Sequence, residues 1–387
     1  MGVKDIETVS QDISLTELGM NSMMAVEIKQ TLEREFDVFL TAYDIRTLTF
    51  AKLAEIRGKN AAQEQMQIDE EKTDISNKQL FIRVTSNEDM IPDVCMVLPT
   101  RKDSRKLEIF LLPGIEGCGH VFNSIASRIK PIAMALQYGT NNIGIAHQSI
   151  PEYADHLLPN VLPKAEKERT FILIGYSYGS LIAIELARRL EHQGLNGQLV
   201  LIDGAPDLMK AMIEQYLPSQ TQEELQNNIL LYIMDSLQPA ASGKLSLDFD
   251  KCTTWEQKLD SFVSHLASAD ISLSVENQKA LCTTLYSRVL ALQKYDALSL
   301  PRIRAPIKLL KPTQSSTYMA EEDYGLRKIT RDKVEVHYVE GNHVTMLDND
   351  KVVLAINGEP LIDPKEFKKL LNEDRPLECE EQEHTRE

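Results

Sequence analysis

Residues 170–190 read as a strand, the run Gly175-Tyr176-Ser177-Tyr178-Gly179, and a helix in immediate succession, and no other stretch constrains the fold as tightly. A sharp turn from strand to helix admits only small residues around one strained, exposed serine. Arg188 and Arg189 near the helix end, with Gly194 beyond it, fit a helix C-terminus. Glycine and serine are also common at helix-start turns, so the motif alone leaves two readings open, a nucleophile elbow or a chance match.

From about residue 105, apolar segments alternate with helical patterns, the texture of a parallel α/β sheet. Residues 107–112, 171–174, 199–202, 307–310 and 334–339 read as strands. The stretch between the third and fourth, residues 208–300, carries helical periodicity instead. Leu225, Ile229, Tyr232 and Leu237 share one face, Trp255, Leu259, Phe262 and Leu266 a second, and Leu281, Leu285, Val289 and Leu292 a third. An insertion of this length inside a sheet protein is expected to be a lid or substrate subdomain.

Chain order strengthens the nucleophile reading. Asp203 ends the strand 199–202, and His343 follows Gly341-Asn342 after the last strand. Each alone is an ordinary turn or loop residue. Serine, acid and histidine in that order, each beyond a strand, are what an α/β-hydrolase fold requires. The expected fold is therefore an α/β-hydrolase with a helical lid, preceded by a small all-α unit. In that frame His343 serves as general base for Ser177, whose hydroxyl is a poor nucleophile near neutral pH, and Asp203 orients the imidazole. One oxyanion donor is expected at the N–H of Tyr178 and a second in the loop Pro113-Gly114-Ile115-Glu116-Gly117, where glycines allow close backbone approach. The competing acids, Glu321, Glu322 and Asp323, lie near Ser315, Ser316 and Thr317 in what reads as a solvated loop.

Composition excludes other classes. A net charge of -16 over 387 residues argues against a general binder of nucleic acid or anionic membrane. The five cysteines are scattered without C-x-x-C pairs, so no metal site is expected and a reducing cytoplasmic setting fits. No run reaches the roughly 20 apolar residues of a membrane span. Met1-Gly2 lacks the Ser or Thr at position 6 that N-myristoylation uses, because Ile6 stands there.

Residues 1–59 read as the helical unit, with Ala25, Ile28, Leu32 and Phe36 at helical spacing and Thr41 and Thr49 before two shorter helices. Residues 58–78 are polar and read as a linker. Physics alone makes Ser22 a helix N-cap. The run LGMNSMMAVEIKQTLERE, however, resembles the phosphopantetheine attachment site of acyl carrier proteins, with Ser22 at the modified position and Asn21 where an Asp is usual. Few residues precede Ser22, so the unit resembles a carrier truncated before its complete first helix.

Together with LPGIEGCGHVFNSIASRI, GYSYGS, LIDGAP and EGNHVTML, this order of carrier, linker and thioesterase resembles the C-terminal end of animal, insect-like type I fatty acid synthases. The resemblance implies a carrier at 1–59, linker and lead-in at 60–104, a thioesterase at 105–371 with its insertion at 208–300, and an acidic tail at 372–387. It implies backbone oxyanion donors at Ile115 and Tyr178, the acid at Asp203, and 4'-phosphopantetheine on Ser22. It further implies hydrolysis of a long-chain acyl thioester to a free fatty acid, with upstream synthase domains and a phosphopantetheinyl transferase as partners. The alternatives are the terminal thioesterase of a polyketide or peptide synthetase, and a non-catalytic carrier or interaction fragment.

Overall fold

A computed structural model describes residues 93–100, 108–139, 149–266 and 274–361, together with residues 14, 24, 25, 28, 45, 48, 49 and 52. The chain divides into two units, residues 1–73 and residues 74–387. In the first, Met24, Ala25 and Ile28 are helical, as the spacing of the last two predicts, and Ile45 and Leu48 are buried. Ser22 and the expected acidic tail lie outside the described residues.

The second unit is built on a seven-stranded sheet: β1 (Cys95–Val97), β2 (Glu108–Leu112), β3 (Ile132–Leu136), β4 (Thr170–Tyr176), β5 (Asn196–Ile202), β6 (Ile307–Pro312) and β7 (Val334–Val339). Their order is β1-β3-β2-β4-β5-β6-β7, with β1 antiparallel to β3 and every other pairing parallel. The sheet therefore starts inside the segment expected to be only a lead-in to residue 105. β1 is three residues long, too short to show a period, and it is recruited by pairing Cys95 with Leu136 and Val97 with Met134.

Both faces of the sheet are covered, which is why its strands read as continuous apolar runs. Phe110 and Leu112, Leu173, and Leu199 and Leu201 face one layer. Ile109 and Leu111, Ile174 and Tyr176, and Val200 and Ile202 face the other. Helices α2 (Ile150–Glu168) and α3 (Gly179–His192) pack on the first layer, and α1 (Asn123–Ala126) and α9 (Asp350–Ile356) on the second. Between β5 and β6 the described residues form five α-helices: α4 (Pro206–Tyr216), α5 (Gln222–Leu237), α6 (Pro239–Phe249), α7 (Trp255–Leu266) and α8 (Val275–Lys294). Most of them share a separate apolar core of Leu230, Met234, Leu245, Leu259, Phe262 and Cys282. No described helix is long and apolar enough to cross a membrane.

Candidate active site

The parallel strands all point their C-terminal ends at one edge of the sheet, where such folds build their sites. The ladder runs one residue past β4 and β5: the Ser177 amide donates to the Ile202 carbonyl at 2.9 Å, and the Asp203 amide to that of Leu310 at 2.8 Å. Both residues then leave the strand in the left-handed region, Ser177 at φ 52° and Asp203 at φ 42°. Such a backbone costs a non-glycine residue about 1–2 kcal/mol, so the neighbourhood must enforce it. Glycines supply the room. A Cβ at Gly179 would run into the carbonyls of Leu112 and Pro113, and one at Gly204 into Ser180 and the Ser177 carbonyl.

His343, on the loop after β7, joins the other two. Its Nε2 lies 3.0 Å from Ser177 Oγ and its Nδ1 2.6 Å from Asp203 Oδ2. With a proton on Nδ1 donated to Asp203, Nε2 is left to accept the serine proton. Tyr176 fixes the ring from the sheet side, stacking on it at 5.1 Å and donating its hydroxyl to the His343 carbonyl at 3.0 Å.

The second oxygen of Asp203 accepts from the Tyr324 hydroxyl at 3.0 Å. Burial first, then the charge of Asp203, pushes the Tyr324 phenol well above its ordinary range, so it stays a neutral donor. Lys311 lies over the Tyr324 ring at 4.3 Å and donates to the Glu322 carbonyl at 2.6 Å. Its burial lowers the amine's pKa, against the carboxylates Glu322, Asp203 and Asp323.

Sequence spacing misses Tyr176, Tyr324 and Lys311, because single aromatic and basic residues on strands and loops carry no pattern. The competing acids need one correction. Glu321 and Glu322 are exposed as expected, but Asp323 is only 4% exposed. Its carboxylate is occupied locally, accepting from the amides of Gly325 at 3.3 Å and Arg327 at 2.9 Å.

Beside Ser177 opens a cavity of about 240 Å³. Ile115 and Tyr178 border it together with the serine and histidine, and its walls are apolar side chains of α4, α5 and α8, among them Met212, Ile213, Ile229, Leu285 and Val289. Glu116 is the acid at its rim. One carboxylate oxygen accepts from the Gly114 amide at 2.9 Å, the other has no hydrogen-bond partner among the described residues, and burial pushes the group up to about 6. Among the described residues no cluster of His, Cys, Asp or Glu could hold a metal ion.

A parallel sheet covered on both faces, a helical cap inserted after the acid-bearing strand, and a serine–histidine–aspartate chain of contacts at the strand ends define an α/β-hydrolase. Residues 107–359 match the thioesterase domain family, well over half of the chain, and the chain belongs to that family. Residues 1–56 match the phosphopantetheine attachment site family. The chain is thus a thioesterase family member joined in one polypeptide to a segment that matches a phosphopantetheine attachment site.

Bacitracin synthase 3 of Bacillus licheniformis is 25% identical over 184 residues, which are 46% of this chain but 3% of that protein. A four-domain nonribosomal peptide synthetase solved in its holo form with AMP and glycine shares the fold with TM-score 0.54 and 18% identity, over 91% of this chain and 24% of that one. The thioesterase RedJ from the prodiginine pathway of Streptomyces coelicolor superposes with TM-score 0.45 and 16% identity, over 68% of this chain and 93% of its own.

Proposed function

We propose that the chain releases the finished acyl group of a carrier-based synthase as a free acid, through Ser177, His343 and Asp203. The observation that carries this is the unbroken contact from Ser177 Oγ through the imidazole to Asp203 at the mouth of an apolar cavity. Ser177 Oγ attacks the thioester carbonyl carbon while its proton passes to His343 Nε2. The C–S bond then breaks, and His343 returns the proton to the departing thiol. Water, deprotonated in turn by His343, attacks the serine ester, the acyl C–Oγ bond breaks, His343 returns the proton to Ser177 Oγ, and the acid leaves. The amides of Ile115 and Tyr178 hold the negative charge on the carbonyl oxygen at each addition.

The attachment residue in this reading is Ser22. Met24, Ala25 and Ile28, which follow it in the sequence, are helical. When bound, the phosphopantetheine supplies the thiol that carries the acyl group. A transferase must install it, and the scattered free cysteines suit a reducing compartment.

Two acyl classes follow from different observations. The apolar cavity walls, with the synthase resemblance of the sequence, support a long saturated chain and a fatty acid product. The peptide synthetases among the relatives support the second reading, a terminal thioesterase of a peptide or polyketide synthetase, more directly. The test is mass spectrometry of what the chain releases from a panel of acyl and peptidyl thioesters. Free fatty acids as the preferred product support the first reading, a peptide acid or macrocycle the second, and no release from any thioester overturns both.

A further inference from the structure

Behind the loop after β2 sit two side chains that the reaction steps leave unused. The Tyr138 hydroxyl donates to the carbonyls of Pro113 and Gly114, the latter at 2.9 Å. The Tyr138 amide donates to the Gly117 carbonyl at 3.0 Å, and the Gly117 amide closes the turn on Gly114 at 2.9 Å. Arg288 reaches in from α8 and is 1% exposed. Its two terminal nitrogens donate to the carbonyls of Ile115 and Tyr138, and its guanidinium lies over the rings of Tyr138 at 5.0 Å and Tyr153 at 5.6 Å. Three successive carbonyls, those of residues 113, 114 and 115, are therefore tied down by these two residues. Gly117, at φ 72°, leaves the space for it, since a Cβ there would stand 2.8 Å from the Tyr138 carbonyl oxygen and 3.0 Å from Arg288 Nη1.

A trans peptide points its carbonyl and its N–H in opposite directions. Pinning the Gly114 carbonyl on Tyr138 turns the Ile115 N–H away from Tyr138, and Ile115 borders the cavity that holds Ser177. A hydrogen bond accepted by a carbonyl also polarises the N–H of the same peptide. A buried guanidinium is expensive to keep, and here it joins a main-chain oxygen of this loop, that of Ile115, to that of Tyr138 beyond β3. The same helix, α8, turns Leu281, Leu285, Val289 and Leu292 into the cavity.

We infer that Tyr138 and Arg288 are positioning residues that hold the Gly114–Ile115 peptide as an oxyanion donor, and that Arg288 ties this donor to the helix that seats the acyl chain. The inference rests on the serine reading above and deepens it.

The test compares the full chain with Tyr138→Phe, Arg288→Met and Arg288→Lys, using octanoyl and hexadecanoyl thioesters as substrates and an alkyl trifluoromethyl ketone, which serine converts to a bound oxyanion. Losing a donor outright costs 10²–10³-fold in rate, so a misplaced one is expected to cost about 10-fold in kcat with KM unchanged. Ketone affinity should fall in step while affinity for the fatty acid product holds. Arg288→Lys should recover part of the loss, and Arg288→Met should shrink the kcat advantage of the longer chain.

Folded Tyr138→Phe and Arg288→Met variants with unchanged kcat and ketone affinity overturn the inference. So does an equal loss of ketone and product affinity, which is what a merely structural role produces. An unchanged chain-length ratio in Arg288→Met overturns the link to α8. Ser177→Ala measured alongside separates the two levels. Turnover that survives it overturns the serine reading itself, whereas turnover lost there but unmoved by the other variants overturns only the clamp.

Discussion

Asp203 is held on both carboxylate oxygens, by His343 on one and Tyr324 on the other, whereas Asp323 spends its carboxylate on two amides of its own turn. The two acids therefore separate cleanly on mutation. Asp203→Asn should lower turnover by about 10³–10⁴-fold, because an amide neither enforces the needed tautomer nor stabilises imidazolium. Asp323→Asn should leave kcat alone and lower thermal stability by about 1 kcal/mol through the weakened turn. Steady-state rates beside thermal melts check both. Serine, acid and histidine were readable because each follows an apolar strand. The burial of Asp323 was not, since its neighbours are exposed acids and only the packed loop, with Tyr324 at φ 54° and Gly325 at φ 78°, turns it inward.

Glu116 gives the molecule a pH dependence of its own. Burial raises its carboxyl from an ordinary 4.5 to about 6. Between those values the folded state binds more protons at this group than the unfolded one, so the contribution of Glu116 to stability is most favourable below about 4.5 and is lost as pH rises through about 6. Glu116→Gln keeps an acceptor for the Gly114 amide and carries no charge. It should match the parent chain below pH 4.5 and exceed its stability by about 2 kcal/mol at pH 7. Urea melts across that range decide it, and a gain of the same size at every pH would contradict the titration account.

Among the elements, three of the five cap helices line the cavity beside Ser177. α4, α5 and α8 supply the apolar walls of the cavity, and each buried methylene is worth about 0.8 kcal/mol, roughly fourfold in affinity. Polarising one wall, as in Leu285→Asn, should therefore raise KM steeply for a hexadecanoyl thioester and little for an octanoyl one. Rates over a series of chain lengths measure this, and an unchanged preference would place the acyl chain elsewhere. The cap was legible because its helices carry long apolar faces, Leu281, Leu285, Val289 and Leu292 above all. Several elements of the sheet domain were not, β1, β3 and α2 among them. β1 is too short to show a period, and β3 is Ile-Ala-Met-Ala-Leu, with a single β-branched residue. α2 holds Pro159 and Pro163 in its interior, which breaks the helical reading although Ser149 and Glu152 form a complete capping box at its start.

At the scale of the whole molecule, one polypeptide combines a match to a phosphopantetheine attachment site with a thioesterase. Everything proposed for the reaction passes through one hydroxyl. The most direct measurement is the hydrolysis of a long-chain acyl thioester by Ser177→Ala, with a thermal melt of the same preparation. Among the described residues, Ser177 Oγ hydrogen-bonds to His343 Nε2 at 3.0 Å and to the sulfur of Met209 at 3.8 Å and ties no strand or helix together, so the fold should not depend on it. An unchanged melt and a loss of turnover on the order of 10⁶-fold are expected, as when one member of such a relay is removed. A folded Ser177→Ala chain that hydrolyses the thioester at the parent rate would contradict the serine reading.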